Sequence, residues 1–124
     1  MTLYLAVAAG GAGGAMLRYW MSGAVQGLTG VGFPWGTLAV NVLGSLMLGA
    51  LMQMSTERLL FPPGMRLLLT TGFCGGLTTF STFSHETWLL VQAQQWPAAA
   101  GNVALNVLVC LAAVALGLLL ARLV

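Results

Sequence analysis

A short run of glycine, hydroxyl and aromatic residues interrupts an apolar stretch in the second half of the chain. Residues 75–83 read GGLTTFSTF. Glycine lowers helix propensity by about 1 kcal/mol per site relative to alanine, and hydroxyl side chains compete for backbone partners, so we expect a helix break near residues 75–79. Carbonyls released by a break can bind a hard cation, whereas released N–H groups and hydroxyls can face an anion. The run predicts an ion site with hydroxyls at Thr78, Thr79, Ser81 and Thr82.

Two phenylalanines, Phe80 and Phe83, lie in this run at a spacing of three residues. On residue type alone, aromatic side chains on a helix are more often packing residues than ligands. The rim of a phenyl ring is electropositive, so a ring edge can also contact an anion. The residues alone leave both interpretations open.

Asparagines form a second group of polar residues in apolar surroundings. Asn41 lies within the segment GTLAVNVLG (36–44), and Asn102 and Asn106 are four residues apart, which places them on one helix face. A polar side chain in hydrocarbon needs a partner or a water-filled cavity, so each is a functional candidate. Asn41 could make an interhelical hydrogen bond or offer its amide to an anion. Asn102 and Asn106 indicate a wet or partner-facing stripe, and helix packing is favoured for Asn102, near the membrane boundary.

Charged side chains are few, and Arg18 and Glu86 lie close to the candidate spans. Each could extend to the membrane interface. Arg18 could alternatively line an aqueous vestibule and raise the local anion concentration.

Enzymatic chemistry is poorly supported. Ser81 and His85 are four residues apart, but no acid is placed to orient the histidine and no oxyanion site is evident. Cys74 and Cys110 are single residues in apolar segments, without CxxC spacing, and no phosphate-binding glycine loop is present. We therefore predict that the protein is not an enzyme.

The elements that must position these residues are transmembrane helices. The chain has 124 residues, 59% hydrophobic and 5% charged, against about 25% charged in soluble domains. A bilayer core needs about 20 apolar residues per helix. The sequence predicts one all-α membrane domain (1–124) with helices at about 3–22, 35–54, 64–92 and 98–122, the third broken near 75–79. Residues 23–33 and the polar segment 56–66, with Glu57 and Arg58, are predicted loops.

Small residues and charge bear on assembly. Gly10 and Gly14 form one predicted close-packing face, and a row on the fourth helix forms another: Ala113, Gly117 and Ala121. A four-helix unit has little interior for a polar site, so oligomerisation is expected. Three of the four arginines fall on the side of the termini, a weak bias that permits insertion in both orientations. The net charge of +2 is too small and dispersed for nucleic-acid binding.

Three motifs together resemble the CrcB/Fluc family of fluoride channels. They are GxGGAxxRY (11–19), GTLAVNVLG (36–44) and GFCGGLTTFSTFSHE (72–86). The resemblance implies a dual-topology, antiparallel homodimer with two pores in the cell inner membrane, a multi-pass assembly in the lipid bilayer that passively exports fluoride.

The resemblance also implies roles for individual residues. A structural sodium ion (Na+) would be held at the dimer centre by the backbone carbonyls of Gly75 and Thr78. The implied pore residues are Asn41, Phe80 and Phe83, with hydroxyl donors Thr79, Ser81 and Thr82, Arg18 near the pore mouth, and Asn102 and Asn106 on the fourth helix. At Asn102 family members often have a tyrosine, and Glu86 matches a carboxylate that follows the motif.

Other functions fit the residues less well. A proton-coupled small multidrug transporter would resemble its relatives in a glutamate within helix 1, which has none. A quinone-linked thiol oxidoreductase would need paired loop cysteines. An assembly or scaffold protein would use the glycine faces but would leave Asn41 and the broken helix without a role.

Overall fold

The computed structural model describes residues 2–56 and 60–123, which are helical apart from short connections. The helices are α1 (Thr2–Thr29), α2 (Trp35–Thr56), α3 (Pro63–Leu67), α4 (Gly75–Leu77), α5 (Phe80–Gln92) and α6 (Trp96–Leu123), with a π-helical segment (Leu68–Cys74) joining α3 to α4. Because α3, the π-helical segment and α4 are continuous, the described chain forms four helical rods, the third of which is interrupted. The predicted all-α fold with a broken third helix is confirmed. Glu57 and Arg58 of the predicted polar loop lie outside the described residues.

The first helix is longer than the sequence predicted. Residues 23–29, predicted as part of a loop, continue α1 to Thr29. Glycines at 23 and 27 weaken the helix but do not end it, since propensity is only a weak determinant within a packed structure. The helix ends where Gly30 adopts a φ of 84°, with its N–H donating to the Gln26 carbonyl at 3.0 Å. Only glycine adopts this left-handed conformation without steric cost.

The loop after α1 is organised by the side chain of Gln26. Its Nε2 donates to the carbonyl oxygens of Gly30 and Phe33, and its Oε1 accepts from the N–H of Gly36 at 3.1 Å. These bonds satisfy backbone groups at the end of α1 and the start of α2. One amide side chain thus fixes the turn between the two helices.

Glycine faces allow the helices to approach closely, as predicted. A Cβ on Gly10 or Gly14 would overlap the carbonyl oxygens of Leu68 and Phe73, respectively, so α1 packs backbone to backbone on the π-helical segment. A Cβ on Gly117 would overlap the carbonyl oxygen of Leu46 of α2. The predicted row on α6 is buried along its length: Ala113, Gly117 and Ala121.

The interruption of the third rod is narrower than predicted. Gly75 remains helical, with φ −63° and ψ −37°, and the break is confined to Thr78 and Thr79. Both threonines are extended, with ψ of 156° and 112°. The Thr79 hydroxyl accepts from the N–H of Thr82 and so caps α5. The seven-residue π-helical turn before the break was not predicted.

Two of the helices in the described chain, α2 and α6, are long and apolar enough by length and composition to cross a membrane unaided. The 28 residues of α1 extend about 42 Å at the helical rise, but its glycine-rich centre is less apolar. Large apolar side chains are exposed along α6, among them Leu108, Leu111 and Leu119. These are the properties of a membrane protein, whose outer surface is solvated by lipid.

Candidate functional site

Asn41 of α2 makes the bonds that hold the break in the third rod. Its Oδ1 accepts from the backbone N–H of Thr79 at 2.8 Å, and its Nδ2 donates to the Thr79 carbonyl at 3.3 Å. Helix α2 and the broken rod approach closely here because Gly44 of α2 has no side chain. A Cβ on Gly44 would overlap Cγ2 of Thr78. The extended backbone at membrane depth is therefore satisfied by a neighbouring helix.

The break removes the helical donors of the backbone carbonyls at residues 75–78, which include those of Gly75 and Thr78. In a continuous α-helix the N–H of Thr79 would donate to the carbonyl of Gly75, but it donates to Asn41 instead. The N–H of Thr82 would donate to the carbonyl of Thr78, but it donates to the Thr79 hydroxyl at 3.1 Å. Carbonyl oxygens without helical donors are ligands of the kind that a hard cation prefers. Within the described residues, no group of three or more His, Cys, Asp or Glu is placed to hold a metal ion.

Asn41 also begins a line of hydrogen-bonded side chains. Its Nδ2 donates to Oδ1 of Asn106 at 2.9 Å, and Nδ2 of Asn106 donates to Oδ1 of Asn102 at 2.9 Å. Nδ2 of Asn102 donates to the hydroxyl of Thr87 on α5 at 2.9 Å. We call this line the amide ladder: Asn41, Asn106, Asn102 and Thr87. The prediction that Asn102 and Asn106 share one helix face is confirmed.

A cavity of about 590 Å³ brings most of the predicted residues together. Its lining includes Asn41, Gly75, Thr78, Thr79, Phe80, Phe83 and Asn106. The ring centroids of Phe80 and Phe83 are 5.4 Å apart with the planes at 52°, so one ring presents its edge obliquely to the other. Phe83 is 8% exposed and fixed within the protein, whereas Phe80 is 79% exposed.

A second cavity, of about 280 Å³, lies on the α1 side of the break. Its polar lining includes Arg18, Ser22, Thr37, Thr79 and Thr82. Thr79 lines both cavities, so the break separates the space that contains Arg18 from the space that contains the phenylalanines. The predicted vestibule residue and the predicted ring residues thus lie on opposite sides of one threonine.

The hydroxyl groups form a small cluster at the start of α5. Oγ1 of Thr79 lies 2.9 Å from Oγ1 of Thr82 and 3.3 Å from Oγ of Ser81. Ser81 and Thr82 are exposed, so their hydroxyls can meet a solute as well as each other. Among the predicted site residues, Ser81 and Asn102 line neither cavity, and Asn102 is fully buried.

Thr37 and Glu86 form a polar pair that the sequence did not assign to the site. The Thr37 hydroxyl donates to Oε1 of Glu86 at 2.8 Å, while Oε2 is buried without a hydrogen-bond partner in the described structure. Glu86 also lines a third cavity, of about 390 Å³, beside the loop after α1. Thr37 precedes Asn41 by one helical turn and lies on the same face, so its spacing was a usable signal.

Comparison with known proteins identifies the family of this chain. Residues 5–118 match the model of the family described as CrcB-like protein, Camphor Resistance (CrcB). The chain is 48% identical over 122 residues to the fluoride-specific ion channel FluC of Geobacter metallireducens, covering 98% of both chains. It is 49% identical over 111 residues to FluC of Pelobacter propionicus, covering 90% of this chain and 86% of that one. It is 45% identical over 122 residues to FluC of Geobacter sulfurreducens, covering 98% of both. The relatives are ion channels rather than enzymes, and the chain belongs to the CrcB family.

Proposed function

We propose that this chain is a fluoride-selective channel that passively exports fluoride across the cell inner membrane. The similar proteins from Geobacter and Pelobacter are named fluoride-specific ion channels. The observation that carries the proposal is the cavity in which the break at Thr79, the Asn41 amide and the rings of Phe80 and Phe83 meet. Fluoride that enters the cell as its neutral acid leaves as the anion through this path.

Fluoride holds its hydration water strongly, so a pore must replace that water with several short donors. Both amide hydrogens of Asn41 are already donated, one to Asn106 and one to the Thr79 carbonyl. Asn41 therefore reaches the anion only when one of these bonds opens. The Thr82 hydroxyl at the smaller cavity and the phenylalanine ring edges at the larger one are donors that an entering ion meets while the backbone bonds of Thr79 stay intact. The exposed Ser81 hydroxyl lies beside them, 3.3 Å from Oγ1 of Thr79.

Arg18 and the fourth helix complete the proposed path. Arg18 lines the smaller cavity beside Thr79 and Thr82, where a positive charge attracts anions without lying at the break itself. Asn106 lines the larger cavity, whereas Asn102 acts through Asn106 because it is fully buried. A cationic group at the narrowest point would hold fluoride too tightly for rapid exit.

We infer that the functional unit is an antiparallel homodimer of dual topology. Two features support this: Phe80 is 79% exposed although it belongs to the site, and the larger cavity is open on the same face. A second copy inserted in the opposite orientation covers this face, and two equivalent pores result. The weak arginine bias of the sequence permits both orientations in the bilayer.

The carbonyls of Gly75 and Thr78 fit a sodium ion at the dimer centre. Both have lost their helical donors, both residues line the face that the second copy covers, and a hard cation prefers oxygen ligands. A bound sodium ion would supply fixed positive charge that holds the two broken rods together.

Fluoride efflux from proteoliposomes tests the proposal. Purified protein is reconstituted into liposomes loaded with potassium fluoride, and valinomycin is added to balance the charge while an electrode records external fluoride. We expect rapid fluoride efflux and no chloride efflux from matched liposomes loaded with potassium chloride. Protein-free liposomes serve as the control. Absence of fluoride efflux, or equal efflux of chloride, would overturn the proposed function.

A further inference from the structure

The amide ladder has a fixed hydrogen-bond direction. At one end the backbone N–H of Thr79 can only donate, so Oδ1 of Asn41 must face it and Nδ2 must point away. Nδ2 of Asn41 then requires an acceptor on Asn106, which turns the amide hydrogens of Asn106 toward Asn102. Each amide thereby sets the orientation of the next.

The other end is locked in the same direction. Nδ2 of Asn102 donates to the Thr87 hydroxyl, whose single hydrogen is donated to the carbonyl of Phe83 at 2.8 Å. A carbonyl can only accept, so the sequence of donors cannot reverse at this end either. The ladder thus connects the backbone N–H at the break to the backbone carbonyl of the buried ring residue.

Because the side chains of the amide ladder are buried, loss of their hydrogen bonds destabilises the protein. Asn102 has no exposed surface, and Asn106 and Asn41 are 7% and 9% exposed. A buried amide that loses its partner keeps the full cost of its desolvation, so each member depends on the others. The ladder also joins three elements, since its members lie on α2, α6 and α5.

We propose that Asn102 and Thr87 are positioning residues for permeation. They contact no ion: Asn102 is sealed inside the protein, and the Thr87 hydroxyl is occupied on both sides. Their function is to hold the Phe83 backbone and the Asn41 amide in one fixed relationship across the larger cavity. This inference rests on the proposed function, because it concerns the rate and selectivity of the fluoride path.

Variants at Thr87 separate positioning from simple packing. Thr87→Ser keeps both hydrogen bonds, whereas the nearly isosteric Thr87→Val removes both. Thr29→Val is the matched control, because the Thr29 hydroxyl makes the same kind of bond to a carbonyl one turn earlier, that of Val25 at 2.9 Å, and accepts from no side chain in the described structure. We expect Thr87→Val to reduce fluoride efflux about tenfold, with Thr87→Ser and Thr29→Val within about twofold of the unmodified protein.

A double-substitution cycle tests the link between Thr87 and Asn102. If the two act through one ladder, Asn102→Leu combined with Thr87→Val reduces efflux by about tenfold, as each change alone does, rather than the about hundredfold of independent effects. We also expect the ratio of fluoride efflux to chloride efflux to fall in Thr87→Val and to stay at the value of the unmodified protein in Thr87→Ser. If Asn102→Leu does not fold, the comparison of Thr87→Val with Thr87→Ser tests the positioning role by itself.

The possible failures are distinguishable. Unmodified protein without fluoride efflux would overturn the proposed function and this inference with it. Fluoride efflux that is unchanged per folded protein in Thr87→Val, with only a lower melting temperature, would overturn the positioning role and leave the proposed function intact. Multiplicative losses in the double variant would show that Asn102 and Thr87 act separately.

Discussion

Oδ1 of Asn41 lies 2.8 Å from the backbone nitrogen of Thr79, and this bond takes the place of a hydrogen bond within the third rod. A side chain from α2 thereby holds open an interruption in another helix and gives partners to backbone groups that the helix itself leaves without them.

Removal of the Asn41 amide should destabilise the fold. We expect Asn41→Leu to lower the free energy of unfolding by about 1–3 kcal/mol, because it leaves the N–H of Thr79 buried without an acceptor. Fluoride efflux should be lost in the same variant. Ser45→Ala, one turn along α2, is the control and should change stability by less than about 0.5 kcal/mol. Equal stability of Asn41→Leu and Ser45→Ala in denaturant titrations would refute the bond's importance.

Gly44 should tolerate no side chain while Thr78 keeps its methyl group. A Cβ at Gly44 would overlap Cγ2 of Thr78, so Gly44→Ala should cost about 1–3 kcal/mol of stability. Thr78→Ser removes that methyl group and keeps the hydroxyl. Combined with Gly44→Ala, it should restore part of the lost stability. Gly27→Ala, which meets open space on α1, should instead stabilise by about 0.5–1 kcal/mol. Thermal unfolding of the four proteins checks this, and a harmless Gly44→Ala would contradict the close approach.

The two phenylalanines should differ in their structural role. We expect Phe80→Ile and Phe83→Ile both to abolish fluoride efflux, because isoleucine has no electropositive ring edge. Phe83 is 8% exposed and packs within one chain, whereas Phe80 lies on the face proposed for the second copy, so Phe83→Ile should also lower the melting temperature of the detergent-solubilised protein. Normal efflux in both variants would remove the rings from the mechanism.

The Thr37 hydroxyl group should be required for full stability and for fluoride efflux. Thr37→Val removes the one hydrogen bond of the Glu86 carboxylate in the described structure, and we expect it to cost about 1–3 kcal/mol of stability and to reduce efflux. Thr37→Ser retains the donor and should differ from the unmodified protein by less than about 0.5 kcal/mol. Identical unfolding curves for the valine and serine variants would show that the contact is incidental.

Sodium should stabilise the assembled protein if Gly75 and Thr78 bind it. A ligand that binds only the folded state raises stability in proportion to the logarithm of its concentration. We expect the melting temperature to rise with sodium concentration at constant ionic strength, with N-methyl-D-glucamine as the replacement cation. A melting temperature that is the same in both cations would argue against a sodium site.

Much of this arrangement was predictable because membranes impose simple rules. The number of rods, the Gly10 and Gly14 face and the broken third rod all follow from long apolar segments and from glycine and hydroxyl residues within them. The spacing of Asn102 and Asn106 was sufficient to place them on one face. The predicted end of α1 was wrong, because the exposed glycines at 23 and 27 continue the helix and, among the glycines that the structure describes, only Gly30 adopts a positive φ.

Contacts between residues far apart in the sequence could not be predicted in the same way. Periodicity places Asn41 on a helix face, but it does not identify Thr79 as the donor to it or extend the line of amides to Thr87. The Thr37 and Glu86 pair joins residues 49 positions apart, so its partner choice depends on tertiary packing. The π-helical turn likewise packs against the glycine face of α1, a tertiary contact that sequence periodicity does not reveal.

A reversal potential measures directly whether this chain conducts fluoride in preference to chloride. Protein in a planar bilayer is recorded with a tenfold fluoride gradient and equal chloride on both sides. Fluoride-selective conduction gives a reversal potential of about 59 mV, with the sign of the fluoride gradient. A reversal potential near zero would contradict fluoride selectivity. So would a reversal potential that follows the chloride gradient in a second recording with equal fluoride on both sides.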